Sequence, residues 1–150
     1  VANLFLIFAF LFVSCASQAS FINTSSESNS NFTKLIFQHR TGSNTFIASI
    51  SKEGLLSVSC GNKQRGILHF EQQDLSWDDL KFINTFLKKH EQKFERLLHF
   101  RSNTFLALVF DEFSDNVKQL RPQSPEKLEA LKEFSYFLRS KLKECSDFNF

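Results

Sequence analysis

Four glycines, two prolines, one tyrosine, one tryptophan, three cysteines and no methionine in 150 residues rule out more chemistry than they suggest. With so few glycines a phosphate-cradling loop is hard to build, and no Walker-type or Gly-x-Ser-x-Gly segment occurs. Cys-x-x-Cys and His-Glu-x-x-His are likewise absent, so the common zinc and redox signatures are missing and no cofactor is implied. Charge is nearly balanced at +2 without a basic block. Counterion release needs clustered Lys or Arg facing phosphates, so nucleic acid is not an expected partner. The most basic stretch, Lys88, Lys89, Lys93 and Arg96, is interleaved with Glu91 and Glu95 and reads as a solvated helix face.

What is present begins with an apolar run. Val1 to Val13 carries no charge and one polar side chain, Asn3. As a helix it would extend about 20 Å, short of the roughly 30 Å hydrocarbon core of a bilayer. It therefore reads as the hydrophobic part of a signal peptide, and the initiator and positively charged segment that normally come first are expected upstream of Val1. Two processing routes compete. Ala16-Ser17-Gln18-Ala19 offers small residues for ordinary cleavage, whereas Phe12-Val13-Ser14-Cys15 resembles a bacterial lipobox in which Cys15 becomes the lipidated first residue. A diacylglyceryl-type anchor on Cys15 would hold the protein on a membrane without a transmembrane helix, since each buried methylene is worth ~0.8 kcal/mol. Two Asn sequons, Asn23-Thr24-Ser25 and Asn31-Phe32-Thr33, would matter only in a eukaryotic secreted glycoprotein, and such an origin would remove the lipobox reading.

These features divide the chain into a signal segment at 1–14, a Ser/Asn-rich flexible tether at 15–31 and one domain at 32–150. Twenty phenylalanines, with abundant Asn, Lys and Ser, reflect codon supply from an AT-rich genome as much as function. Once Cys15 is lipidated or removed, the domain keeps Cys60 and Cys145 in an oxidising compartment. An even pair permits one disulfide, closing a loop worth ~4 kcal/mol on a chain-entropy model. The alternative is two unpaired thiols acting as small apolar side chains.

Alternation marks the first half of the domain as a meander of strands. Leu35 and Phe37 share one face of 33–40, Phe46, Ala48 and Ile50 one face of 45–51, and Leu56, Val58 and Cys60 one face of 56–60. In the fourth strand, 67–72, Leu68 and Phe70 are the expected buried side. The period then changes. Ser76-Trp77-Asp78-Asp79 reads as an N-cap with an acid three residues on, and Leu80, Ile83, Phe86 and Leu87 form a helical stripe. Burying those four is worth roughly 6 to 12 kcal/mol before entropy is subtracted. Trp77 is expected to staple the start of this helix onto the sheet rather than to serve as a ligand platform, and Phe94, Leu97 and Leu98 to add a helical turn or a short second segment. Asn103 to Asp111 reads as a strand that is central or covered on both sides, followed by a short strand at 117–120. Ser124-Pro125-Glu126 opens a last helix through Leu128, Leu131, Phe134, Leu138 and Leu142. The expectation is α+β: an antiparallel sheet of about five or six strands with two main helices on one face.

This order, with its Ser-Trp-Asp-Asp-Leu-Lys helix and Pro-started terminal helix, resembles small uncharacterised lipoproteins of the Bacteroidetes type. The likeness lies in the pattern of 32–142, clearest at 75–98 and 125–138. It implies export and an α+β fold, and it transfers no functional residue.

The remaining candidates are weak. His39 and His69 fall on expected strands and would share a sheet face if those strands were neighbours, as a general base or zinc pair. Asp111, Glu112 and Asp115 form an acidic turn that could also be drawn as a carboxylate site. The leading expectation is a non-enzymatic binding or interaction module, exported and anchored in the cell envelope (periplasmic or outer-membrane) through lipid, with an unidentified protein or small ligand as partner. The alternatives are a small secreted hydrolase using those residues, and a eukaryotic extracellular glycoprotein.

Overall fold

The computed structural model describes residues 32–62, 64–97, 102–110 and 116–145. Cys15, the apolar run, the tether and the acidic residues 111, 112 and 115 lie outside the described residues. Within them the chain is α+β. Four strands come first, β1 (Lys34–Thr41), β2 (Asn44–Ser51), β3 (Leu55–Asn62) and β4 (Ile67–Asp74), then helix α1 (Trp77–His90). A 3-10 turn (Glu91–Lys93) leads to β5 (Glu95–Leu97), β6 (Thr104–Val109), β7 (Val117–Leu120) and α2 (Pro125–Lys141). All seven strands join one antiparallel sheet in the order β4-β3-β2-β1-β6-β7-β5.

Turn chemistry sets the meander. Thr41 pairs with Asn44 across a two-residue turn whose first residue, Gly42, has φ +57°, the left-handed conformation such hairpins need. At the next turn Gly54 has φ +91°, strained for any other residue, and a Cβ there would press within 3.1 Å of Leu80 Cδ2 where α1 crosses the hairpin. Strand alternation then places Leu35, Phe37, Phe46, Ala48, Ile50, Leu56 and Val58 on one face, in a single core with Leu106, Leu108 and Leu120.

Both helices pack on that face. Ser76 caps α1 in a capping box: its hydroxyl accepts from Asp79 N, and the Asp79 carboxylate accepts from Ser76 N. The stripe Leu80, Ile83, Phe86 and Leu87 is buried, as are Leu131, Phe134 and Leu138 of α2. Phenylalanine supplies the seam between the helices, with Phe86 and Phe134 rings 5.0 Å apart and Phe82 stacked on Phe137 at 4.5 Å. Ser124 caps α2 by accepting from Lys127 N, and Pro125 needs no donor at the first helical position.

Four expectations are corrected or extended. The sheet has seven strands, because 95–97 forms β5 against β7 instead of a helical turn. Phe94 and Leu97 are spaced like a helix, but Phe94 is already extended (φ −83°, ψ 126°) and Glu95 is held by ion pairs with Lys127 and Arg121. Trp77 does not staple the helix onto the sheet. It is 63% exposed, while Leu75 packs against the core from the residue before the cap. All six residues of β6 are buried, since its second face joins Phe105, Ala107 and Val109 with Val117 and Ile36 in a smaller apolar cluster. Finally, the side of β4 expected to be buried is the exposed one. Cys60, Val58 and Leu56 stand opposite His69, Glu71 and Gln73, so those polar residues turn toward the helices. Leu68 and Phe70 then point the other way and are 75% and 63% exposed.

Phe86 is fully buried in the ring seam between the helices. Phe86→Ala should destabilise the fold by about 3 to 5 kcal/mol, read as a lowered denaturation midpoint with an unchanged denaturant slope.

Candidate functional site

The inverted facing of β4 follows from what its polar side holds. Beyond α2 the chain continues through Leu142 to Cys145 and lies against β3 and β4. Gln73 donates to the Lys141 carbonyl at 2.6 Å. The Glu71 carboxylate accepts from the backbone N–H groups of Lys143, Glu144 and Cys145 at 3.0, 2.5 and 2.7 Å. His69 Nδ1 lies 3.1 Å from Glu144 Oε2, and a disulfide joins Cys60 to Cys145. His69, Glu71 and Gln73, on the side of the strand that faces the helices, are thereby used to bind the terminal arm. Burial raises the Glu71 pKa, but the three N–H donors and Lys143 outweigh it and hold the carboxyl below its ordinary value of 4.5.

The opposite side of β4 carries Leu68, Phe70 and Gln72, backed on β3 by the small side chains of Ser57 and Ser59. Because β4 ends the strand order, the outward half of its backbone N–H and C=O groups is not used by the ladder. The strand is eight residues long and contains neither Pro nor Lys, residues that commonly blunt exposed edges. A long edge with two large exposed apolar side chains is suited to accept another strand.

The candidates from sequence are arranged differently. His39, Phe46, Cys60 and His69 form one cross-strand row. The two histidines share a face, but β2 and β3 lie between them, about 14 Å in all at the usual strand spacing. They are not brought together, and no group of three His, Cys, Asp or Glu side chains among the described residues is placed to hold a metal ion. His39 instead bridges Thr104 Oγ1 (Nδ1, 2.7 Å) and exposed Thr41 Oγ1 (Nε2, 2.8 Å), a hydrogen-bond chain along the end of β1.

A third histidine, His90, is not among the candidates drawn from the sequence. His90 follows Ile83 and Phe86 at helical spacing and is 4% exposed, with its ring 4.6 Å from that of Phe86. Its Nε2 lies 3.2 Å from Glu133 Oε2, which also receives Lys89 Nζ at 2.9 Å. Nδ1 is buried without a hydrogen-bond partner among the described residues. Burial lowers the His90 pKa, helped by Lys93 and Lys89, and this exceeds the raising effect of Glu133, so the ring is neutral at neutral pH. This cluster ties α1 to α2, as does Lys141 with Asp79 at 2.5 Å.

No protein-family model, curated protein or solved structure matches the chain.

Two outcomes test the arm. A depressed folded-state pKa gives stability that is present above the unfolded value and lost as pH falls through the folded one. The melting-temperature difference between wild type and Glu71→Gln should therefore be largest above about pH 5 and shrink on acidification. Cys145→Ser should cost about 2 to 5 kcal/mol by removing the crosslink, measured as denaturant stability under non-reducing conditions.

Proposed function

We propose that this chain is an exported envelope protein, lipid-anchored at Cys15, that works without catalysis as an interaction module held away from the membrane by the tether at 15–31. The apolar run ending at a lipobox-like Cys supports the anchor. Among the described residues no helix is long and apolar enough to cross a membrane.

The observation that carries the interaction reading is the outward display of Leu68 and Phe70 on the terminal strand β4, with its polar residues committed to the arm. Its partner is a protein that adds a strand to this edge. Backbone hydrogen bonds would supply much of the affinity, and pockets for alternate side chains, here those beside Leu68 and Phe70, the selectivity.

Two measurements check the proposal. Fatty-acid labelling in cells should mark the wild-type protein and be lost in Cys15→Ser; unchanged processing with no label in either would remove the anchor. A photo-crosslinking residue at position 70 should give a discrete protein adduct that Leu68→Lys suppresses, while the same group at Tyr136, equally exposed on α2, should not. Equal capture at both positions, or none at 70, would count against the edge as the binding surface.

A further inference from the structure

We infer that the strand accepted by this edge is β4 of a second copy, giving an antiparallel dimer whose two-fold axis passes between the two copies of Phe70. This rests on the proposal that β4 is the docking edge and names its occupant. Residues directly opposite in an antiparallel pair point to the same face. A two-fold axis perpendicular to the sheet must therefore set one residue opposite its own copy, not opposite a sequence neighbour. With the axis at Phe70, the two Phe70 rings are cross-strand neighbours, Leu68 stands opposite Gln72 of the second copy, and each Leu68 is diagonal to the other Phe70. The exposed side chains of both copies then cover one another in a single patch.

Charge favours a second copy in this register. β4 has an uneven charge distribution, with Arg65 just before its start and Glu71 and Asp74 toward its end. Antiparallel self-pairing brings the basic start of one strand to the acidic end of the other. Gly66 stands opposite Asp74, leaving Arg65 beside it, and His69 stands opposite Glu71 twice. Moving the axis to His69 would instead set the two imidazoles against each other. Self-pairing would join the two sheets into one, with both terminal arms on the helix side and both copies of Leu68 and Phe70 on the other.

The register can be tested by covalent capture. The full chain in non-denaturing detergent, with Cys15→Ser to remove the extra thiol, is given Phe70→Cys or Leu68→Cys and oxidised mildly. Cα atoms paired across antiparallel strands are about 4.5 to 5.5 Å apart, inside the roughly 4.4 to 6.8 Å window of a disulfide. Two copies of residue 68 would be displaced by four residues, about 13 Å along the strands. Phe70→Cys should thus form a linked dimer at least tenfold faster than Leu68→Cys, and mixing Leu68→Cys with Gln72→Cys should restore linkage, with Cys60–Cys145 intact by mass spectrometry. In sedimentation, the Cys15→Ser parent should dimerise with rising concentration and Phe70→Lys on the same background should not, while both give the same circular dichroism. Equal linkage at 68 and 70, a dimer insensitive to Phe70→Lys, or a monomer up to about 100 µM, where a micromolar pair would be associated, would overturn the dimer. If a different protein were still captured at position 70, only the second copy would be wrong; no adduct at all would remove the docking edge with it.

Discussion

The carboxylate of Glu71, receiving three consecutive backbone N–H groups from 143–145, fixes the facing of the strand on which it sits. A strand has two faces and one choice of parity. Leu68 and Phe70 would turn inward if hydrophobicity alone decided. Three N–H groups near the end of the chain need acceptors, and a carboxylate that accepts them gains charge-assisted bonds about twice as strong as neutral ones. Gln73 and His69 add contacts on either side, and the disulfide reaches the neighbouring strand. The arm thus holds the end of α2 against the sheet and leaves two large apolar side chains outside.

Helix packing depends on the same arrangement. Lys141, the last residue of α2, accepts from Gln73 through its carbonyl and reaches Asp79 of the α1 cap through its amine. Burial raises the Asp79 pKa, but Lys141 and Ser76 outweigh it, so the capping carboxylate stays ionised. At the other end of α1, Glu133 gathers Lys89 and His90. The apolar stripe and phenylalanine seam supply the bulk of the burial, and these polar contacts at either end set the register of one helix on the other.

Much of the fold was readable in the sequence because local and tertiary preferences agree there. The meander, the α1 stripe, the Ser76 cap and the Ser124-Pro125 start are short-range patterns with direct structural causes. What was hidden depends on distant partners. The facing of β4 is decided by residues more than seventy positions away, and alternation cannot tell which face a strand buries when both contain suitable side chains. The three-residue β5 is too short for a period, so the Phe94 and Leu97 spacing suggested a helix. His90 has its carboxylate partner only because α2 brings Glu133 to it. His39 and His69 were correctly placed on strands, the first and fourth of the meander, and that order holds them apart with two strands between. The surface that carries the functional proposal is therefore the one that sequence periodicity assigned to the core.

The central claim is the parity of β4, and cross-strand proton contacts in solution report it directly. Nuclear Overhauser contacts between backbone protons of Val58 and Glu71, and of Cys60 and His69, are the result this structure requires. A pattern shifted by one residue, pairing Val58 with Phe70 and Cys60 with Leu68, would bury the apolar pair, release the terminal arm and contradict the account.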